Sequence, residues 1–119
     1  MPNSKPVYDL EERTFQFAKD VRNFVKQLPK TIANIEDGKQ VIRSSGSIGA
    51  NYIEANESLS KKDFLMRVKI CRKEAKESAY FLRLIHETNV PGIAIIGVRL
   101  QDEADQLKKI LSAIIEKSG

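Results

Sequence analysis

Hydrophobic residues along this chain recur mostly every three or four positions, the repeat of one face of an α-helix. Leu10, Phe17, Val21, Phe24, Val25 and Leu28 share one register and predict a first helix over 9–28. Asp9 suits its N-cap, with Glu12 as a capping-box partner, and Pro29 ends it because proline disfavours a helical conformation at the residue before it. A second helix is expected over 34–56, with Ile35, Ile42, Gly49 and Ile53 as its core stripe. Ser60 is a good N-cap for a third over 60–86, whose core stripe reads Phe64, Val68, Cys71, Ala75, Ala79 and Leu82. Asn89, Pro91 and Gly92 then form a break. Ile93 to Gly97 fits either a strand-like run or the entry to a last helix over 98–117, which turns Leu100, Ala104, Leu107, Leu111, Ile114 and Ile115 inward. Four helices with short connections predict a single domain, 1–119, that is all-α: an antiparallel up-down four-helix bundle.

Two of these helices carry more apolar surface than one core needs. On the second, Val41, Ile48, Tyr52 and Ala55 form another stripe, displaced by more than about 100° and separated from the first by a polar strip of Arg43, Ser47, Asn51 and Glu54. On the third, Met66, Ile70, Phe81 and Leu84 lie on one flank. Large apolar patches are uncommon on soluble monomers. The second faces are therefore expected to meet other subunits, with Val41, Ile48, Tyr52, Met66, Ile70 and Leu84 at the interface of a homo-oligomer. The alternative is a central second helix whose other face is covered by Ile93 to Ile96. Gly38, Gly46 and Gly49 each lower helix propensity by about 1 kcal/mol relative to Ala. A helix that tolerates them points to close approach of another backbone over Ser45, Gly46, Gly49 and Ala50. Arg43 and Glu54 stand about three turns apart and cannot pair with each other; each is expected to pair with a neighbouring helix or subunit.

Composition narrows the chemistry. Of 119 residues, 41% are hydrophobic and 30% charged, too apolar for a disordered chain. Met1 to Asp9 lacks the apolar stretch of a secretory signal. The longest apolar run, Ile93 to Ile96, falls far short of the roughly 20 residues of a membrane span, so a soluble, cytoplasmic protein is expected. One cysteine, Cys71, excludes an internal disulfide and a cysteine metal cluster, and one histidine, His86, excludes a multi-histidine site. Cys71 falls on the core stripe and reads as a small buried apolar side chain. Glu54, Glu57, Glu74 and Glu77 lack the Glu-x-x-His pattern of di-metal bundles. Ser44 to Gly49 is glycine-rich but has neither a preceding strand nor a lysine at phosphate-loop spacing. No catalytic residue, metal or cofactor is expected, and the chain reads as non-enzymatic.

The net charge of +4 is concentrated in one segment. Between Ser60 and His86 eight Lys/Arg stand against three acids, so the remainder of the chain is slightly negative. Lys62, Lys69, Lys73 and Lys76 fall within a narrow strip opposite the core of the third helix. With Arg72 they are the candidates for contacts to a phosphate backbone. A plain solvated face of good helix formers would show the same pattern. Lys73 and Glu77 have an (i, i+4) spacing that allows partial neutralisation. Tyr80 is the one aromatic residue among these cations, thin support for base stacking.

Three phrases resemble a known family. They run from Ile42 through Arg43, Ser47, Asn51 and Glu54 to Ala55, from Ser60 to Phe64, and from Cys71 to Glu77. Together they are similar to the bacterial four-helix-bundle proteins of the 23S rRNA intervening-sequence type. Phe17 to Val21 and Ile110 to Ile115 also fit, so the resemblance spans nearly the whole chain. It departs at Asn56, where the family usually has glycine, and this extends the second helix. The resemblance implies a bundle, ring-shaped homopentamers in several members, a connection to RNA, and no enzymatic activity. It also implies kinship with the accessory variability proteins of diversity-generating retroelements, basic pentamers that bind a reverse transcriptase and nucleic acid. By position it singles out Arg43, Ser47, Asn51 and Glu54, and Lys62, Lys73 and Glu74. The function expected is therefore that of a homo-oligomeric bundle whose basic face associates with RNA or other nucleic acid. The alternative is a protein-interaction scaffold that docks a partner enzyme such as a reverse transcriptase.

Overall fold

The computed structural model describes residues 9–118, and among them every regular element is an α-helix. In chain order these are α1 (Leu10–Lys26), α2 (Ile32–Asn56), α3 (Lys61–Glu87) and α4 (Pro91–Ser118). Two of the starts follow the capping residues read from the sequence. Asp9 Oδ1 accepts from the Glu12 amide at 3.1 Å, and Ser60 Oγ from the Asp63 amide at 3.1 Å. Each bond satisfies one of the amides that a helix N-terminus leaves without a partner. α2 begins earlier than expected, because Thr31 Oγ1 caps it by accepting from the Asn34 amide. α4 also begins earlier, at Pro91. Proline is at home in a first helical turn, where its missing N–H has no acceptor to lose. The Ile93 to Gly97 segment is thus helical, and the strand-like alternative is overturned.

Chain neighbours pack against each other as antiparallel pairs, α1 on α2, α2 on α3 and α3 on α4, while α1 and α4 meet over a much narrower contact. The antiparallel sense shows in paired residues whose numbers run in opposite directions, Ser44 with Ser78 and Asn51 with Arg67 across α2 and α3. Leu10, Phe17, Val21, Phe24, Val68, Cys71, Leu82, Leu100, Leu107 and Leu111 are all buried in the core, as their spacing predicts. Phe64 is only half-buried.

α2 corrects the sequence reading. Val41 and Ile48 are fully buried within this one chain, whereas Ile35 and Ile53 stand exposed. The cause is geometric. α2 is gripped from both sides, by α1 and α3, so its inward direction bisects a broad apolar arc. Val41, Ile48 and Ala55 lie on that bisector. Ile42 and Gly49 lie toward α1, with Ile35 and Ile53 at the far edge. The two stripes are one arc, and the centre of the bundle lies on the stripe expected to face a partner.

The expected close approach is made by α1. A Cβ built on Gly49 would stand 2.8 Å from Thr14 Oγ1 and 3.3 Å from Thr14 Cβ. Thr14 is buried and its hydroxyl donates to the Leu10 carbonyl at 2.6 Å, so it cannot swing away freely. Only a residue without a side chain fits here.

Candidate nucleic-acid interface

α3 presents two unlike faces, and the acids on it decide the difference. Glu74 and Glu77 lie on the flank toward α2, where Arg43 reaches both. Arg43 Nη1 stands 3.3 Å from Glu74 Oε1, and Nη2 donates to Glu77 Oε2. The hydrogen bond to Glu77, and then the charges of both carboxylates, hold the Arg43 guanidinium above its ordinary pKa against some desolvation. Glu74 is buried, and its Oε1 has no aligned hydrogen bond, so Arg43 meets it by charge alone. Deeper in the same junction Ser44 and Ser78 hydroxyls hydrogen-bond at 2.8 Å, both wholly buried. Further along, Arg67 Nη1 donates to Asn51 Oδ1 at 3.2 Å, while Asn51 Nδ2 donates to the Ser47 carbonyl. The result is a polar seam along the α2–α3 junction, in which the buried serine hydroxyls are matched to each other as burial demands and Glu74 is met by charge.

Of the polar strip singled out on α2, Arg43 and Asn51 therefore engage a neighbouring helix. Ser47 is half-buried and Glu54 exposed. The expected Lys73–Glu77 neutralisation is not made, since Glu77 turns to Arg43. Ser44, Ser78 and Arg67 join the seam without being predicted to, and Glu74, which the resemblance singles out, lies in it. A signal is present in the sequence for Ser78, which sits on the core register of α3, where a small polar residue needs a partner; Ser44 stands nearly opposite the stripe of Ile42 and Gly49 and carries no such signal.

The outward face is open. Lys62, Lys69, Lys73 and Lys76 are all exposed. Among the described residues no carboxylate lies within ion-pairing distance of any of them. Arg72 is half-buried on the α4 flank, where Nη1 donates to Ser112 Oγ at 3.4 Å. Arg83, at the far end, is paired with Glu87 at 2.9 Å.

The residues expected at a subunit interface divide. Val41 and Ile48 have 0% exposure and so no surface to offer, which removes both from any interface. Tyr52 is half-buried against the core, where desolvation raises its phenol pKa. Ile70 and Leu84 are half-buried, and Met66 is exposed. Apolar surface also lies where the sequence does not predict it. Phe15 and Ile53 border a groove of about 650 Å³ floored by Gly46, Gly49 and Ala50. Val90, Ile95 and Val98 stand exposed around the start of α4.

Cys71 is wholly buried, and burial pushes its thiol up to about 12. His86 packs beneath Gly97, and its Nε2 lies 2.6 Å from Gln101 Oε1. No helix among the described residues is long and apolar enough to cross a membrane.

Fold and site together define a helical bundle of neighbour-packed antiparallel hairpins with a polar α2–α3 seam and an unpaired cationic ridge. The chain belongs to the family of 23S rRNA-intervening sequence proteins, whose model matches residues 8–113. Among solved structures it is similar to a protein of unknown function from the S23 ribosomal protein family of Bacteroides thetaiotaomicron. The two share 28% identity over 88% of this chain and 96% of that one, with a TM-score of 0.75. No curated protein matches the chain.

Proposed function

We propose that this protein is a non-enzymatic homo-oligomeric bundle that associates with RNA through the outward face of α3. What supports this is the direction in which the α3 acids turn. Glu77, the one glutamate at (i, i+4) to a ridge lysine, is taken by Arg43, and among the described residues no carboxylate pairs with Lys62, Lys69, Lys73 or Lys76. A row of unpaired lysines on one helix face suits sequence-independent phosphate binding, driven by release of counterions. Membership of a family named for insertions in 23S rRNA favours RNA over other polyanions. Self-association is supported by the two exposed apolar clusters, one around Phe15 and Ile53 and one around Val90, Ile95 and Val98. A ring of the kind the family resemblance suggests would need two different patches to meet, as these do not match each other.

The test is binding of a labelled RNA measured across a salt series. Affinity should fall steeply with salt. Reversing Lys69, Lys73 and Lys76 to Glu should remove most of it and flatten the slope by about 2, since each phosphate neutralised on a single strand accounts for roughly 0.7. Unchanged RNA binding by that variant overturns the proposal. Light scattering with and without nuclease treatment reads the oligomer and any bound nucleic acid together. The same apolar clusters favour a second reading, a scaffold that docks a partner enzyme such as a reverse transcriptase. Recovery of one stoichiometric protein partner after nuclease treatment, with no RNA affinity of the purified protein, would select it.

A further inference from the structure

We propose that the α3 ridge takes single-stranded rather than duplex nucleic acid, with Tyr80 as its base-stacking platform, a step that rests on the cationic reading above. Tyr80 stands four residues beyond Lys76, seven beyond Lys73 and eleven beyond Lys69. These intervals are close to whole turns of 3.6 residues, so the ring lies on the same strip as the lysines. It is 59% exposed. Phe81 stands beside it with ring centroids 5.3 Å apart and planes at 84°. A perpendicular neighbour can cover at most one face of the tyrosine ring and props it against rotation, so at least one broad face is clear of Phe81. None of the hydrogen bonds among the described residues uses the Tyr80 hydroxyl, so no polar partner accounts for its position.

From Lys62 to Tyr80 the strip runs about 27 Å at 1.5 Å per residue. Lysines alone do not tell one strand from two, because both present phosphates. An aromatic face does. It can stack only on a base that is unpaired and turned out, and such stacking tolerates any base. Cations in a row with an aromatic face at one end are therefore the elements of a single-strand track, at the scale of one helix.

The test uses the full chain with fluorescently labelled oligouridine and an RNA duplex of the same length, titrated at two salt concentrations. The single strand should bind more tightly. Tyr80→Ala should weaken single-strand binding by about tenfold or more, the scale of one base stacked on an aromatic ring, while leaving the salt slope and duplex affinity unchanged. Tyr80→Phe should bind as the wild type, because the ring stacks without its hydroxyl. Equal affinity for both RNAs, an unaltered single-strand affinity in Tyr80→Ala, or a fall in oligomer mass in that variant would each overturn the assignment. The two proposals separate cleanly. If reversal of Lys69, Lys73 and Lys76 abolishes RNA binding while Tyr80→Ala does nothing, the stacking role falls and the cationic ridge stands. If the charge-reversed protein still binds, both fall.

Discussion

The two faces of α3 are written in nearly the same alphabet and do opposite things. Toward α2 and the core, Cys71, Glu74, Ser78 and Leu82 are buried. On the outward side, Lys62, Lys69, Lys73, Lys76 and Tyr80 are exposed. Along the helix one lysine and one glutamate of the ridge region, Lys73 and Glu77, have the (i, i+4) spacing at which they would meet in isolation. Arg43 on the neighbouring helix takes Glu77 instead, and so leaves Lys73 without that counter-charge. A charge pattern on one helix thus acquires its meaning from a residue on another.

Changes on the inner face should accordingly move stability and leave RNA binding alone. The largest effect is expected from Leu82→Ala. It removes a wholly buried side chain and should cost about 2–5 kcal/mol in denaturant unfolding, with the salt dependence of RNA binding unaltered. Arg43→Ala is designed to break the division. Leaving Glu74 buried without its charge partner should cost about 2 kcal/mol. Glu77, released, then becomes free to meet Lys73, so RNA affinity should drop even though Arg43 is not on the ridge. A destabilised variant with unchanged affinity would show that Arg43 does not govern the ridge.

The smallest effect concerns Cys71. Its thiol is ordinary at 9.0 and lifted to about 12 by burial. A group whose pKa is raised on folding contributes stability that is whole below the unfolded value and lost as pH climbs toward the folded one. Stability should therefore decline between about pH 9 and about pH 12, by roughly 1 kcal/mol at pH 10. Cys71→Val should remove that part of the decline, as seen in melting curves taken at pH 8 and pH 10.

Much of this molecule is legible in its sequence. Asp9 and Ser60 announce two helix starts, and the apolar registers of α1, α3 and α4 name most of their core residues. α2 is not legible in the same way. Its apolar arc is wide, and which part of it points inward depends on where α1 and α3 sit, so spacing alone puts the stripe holding Val41 and Ile48 on the wrong side. The ridge lysines can be read from spacing, but the freedom of Lys73 cannot, since it depends on an ion pair between residues 43 and 77, far apart in the chain. The start of α4 is hidden by Pro91 and Gly92, which mark a break in one context and a first helical turn in another.

The loose meeting of α1 and α4 bears on how the chain folds and breathes. α1 is fastened to α4 by Arg13, which holds Glu103 through two hydrogen bonds of 2.8 and 2.9 Å. Beside that fork a cleft of about 470 Å³ opens, reaching Asp20, Asn23 and Arg99. All the broad interfaces join helices adjacent in the chain, so assembly needs no distant loop closure until this last joint forms, a topology that favours rapid folding. By the same logic α1 is the element whose backbone amides can be exposed to solvent by partial opening, while those of α3, clasped on both sides, exchange only when the whole domain comes apart.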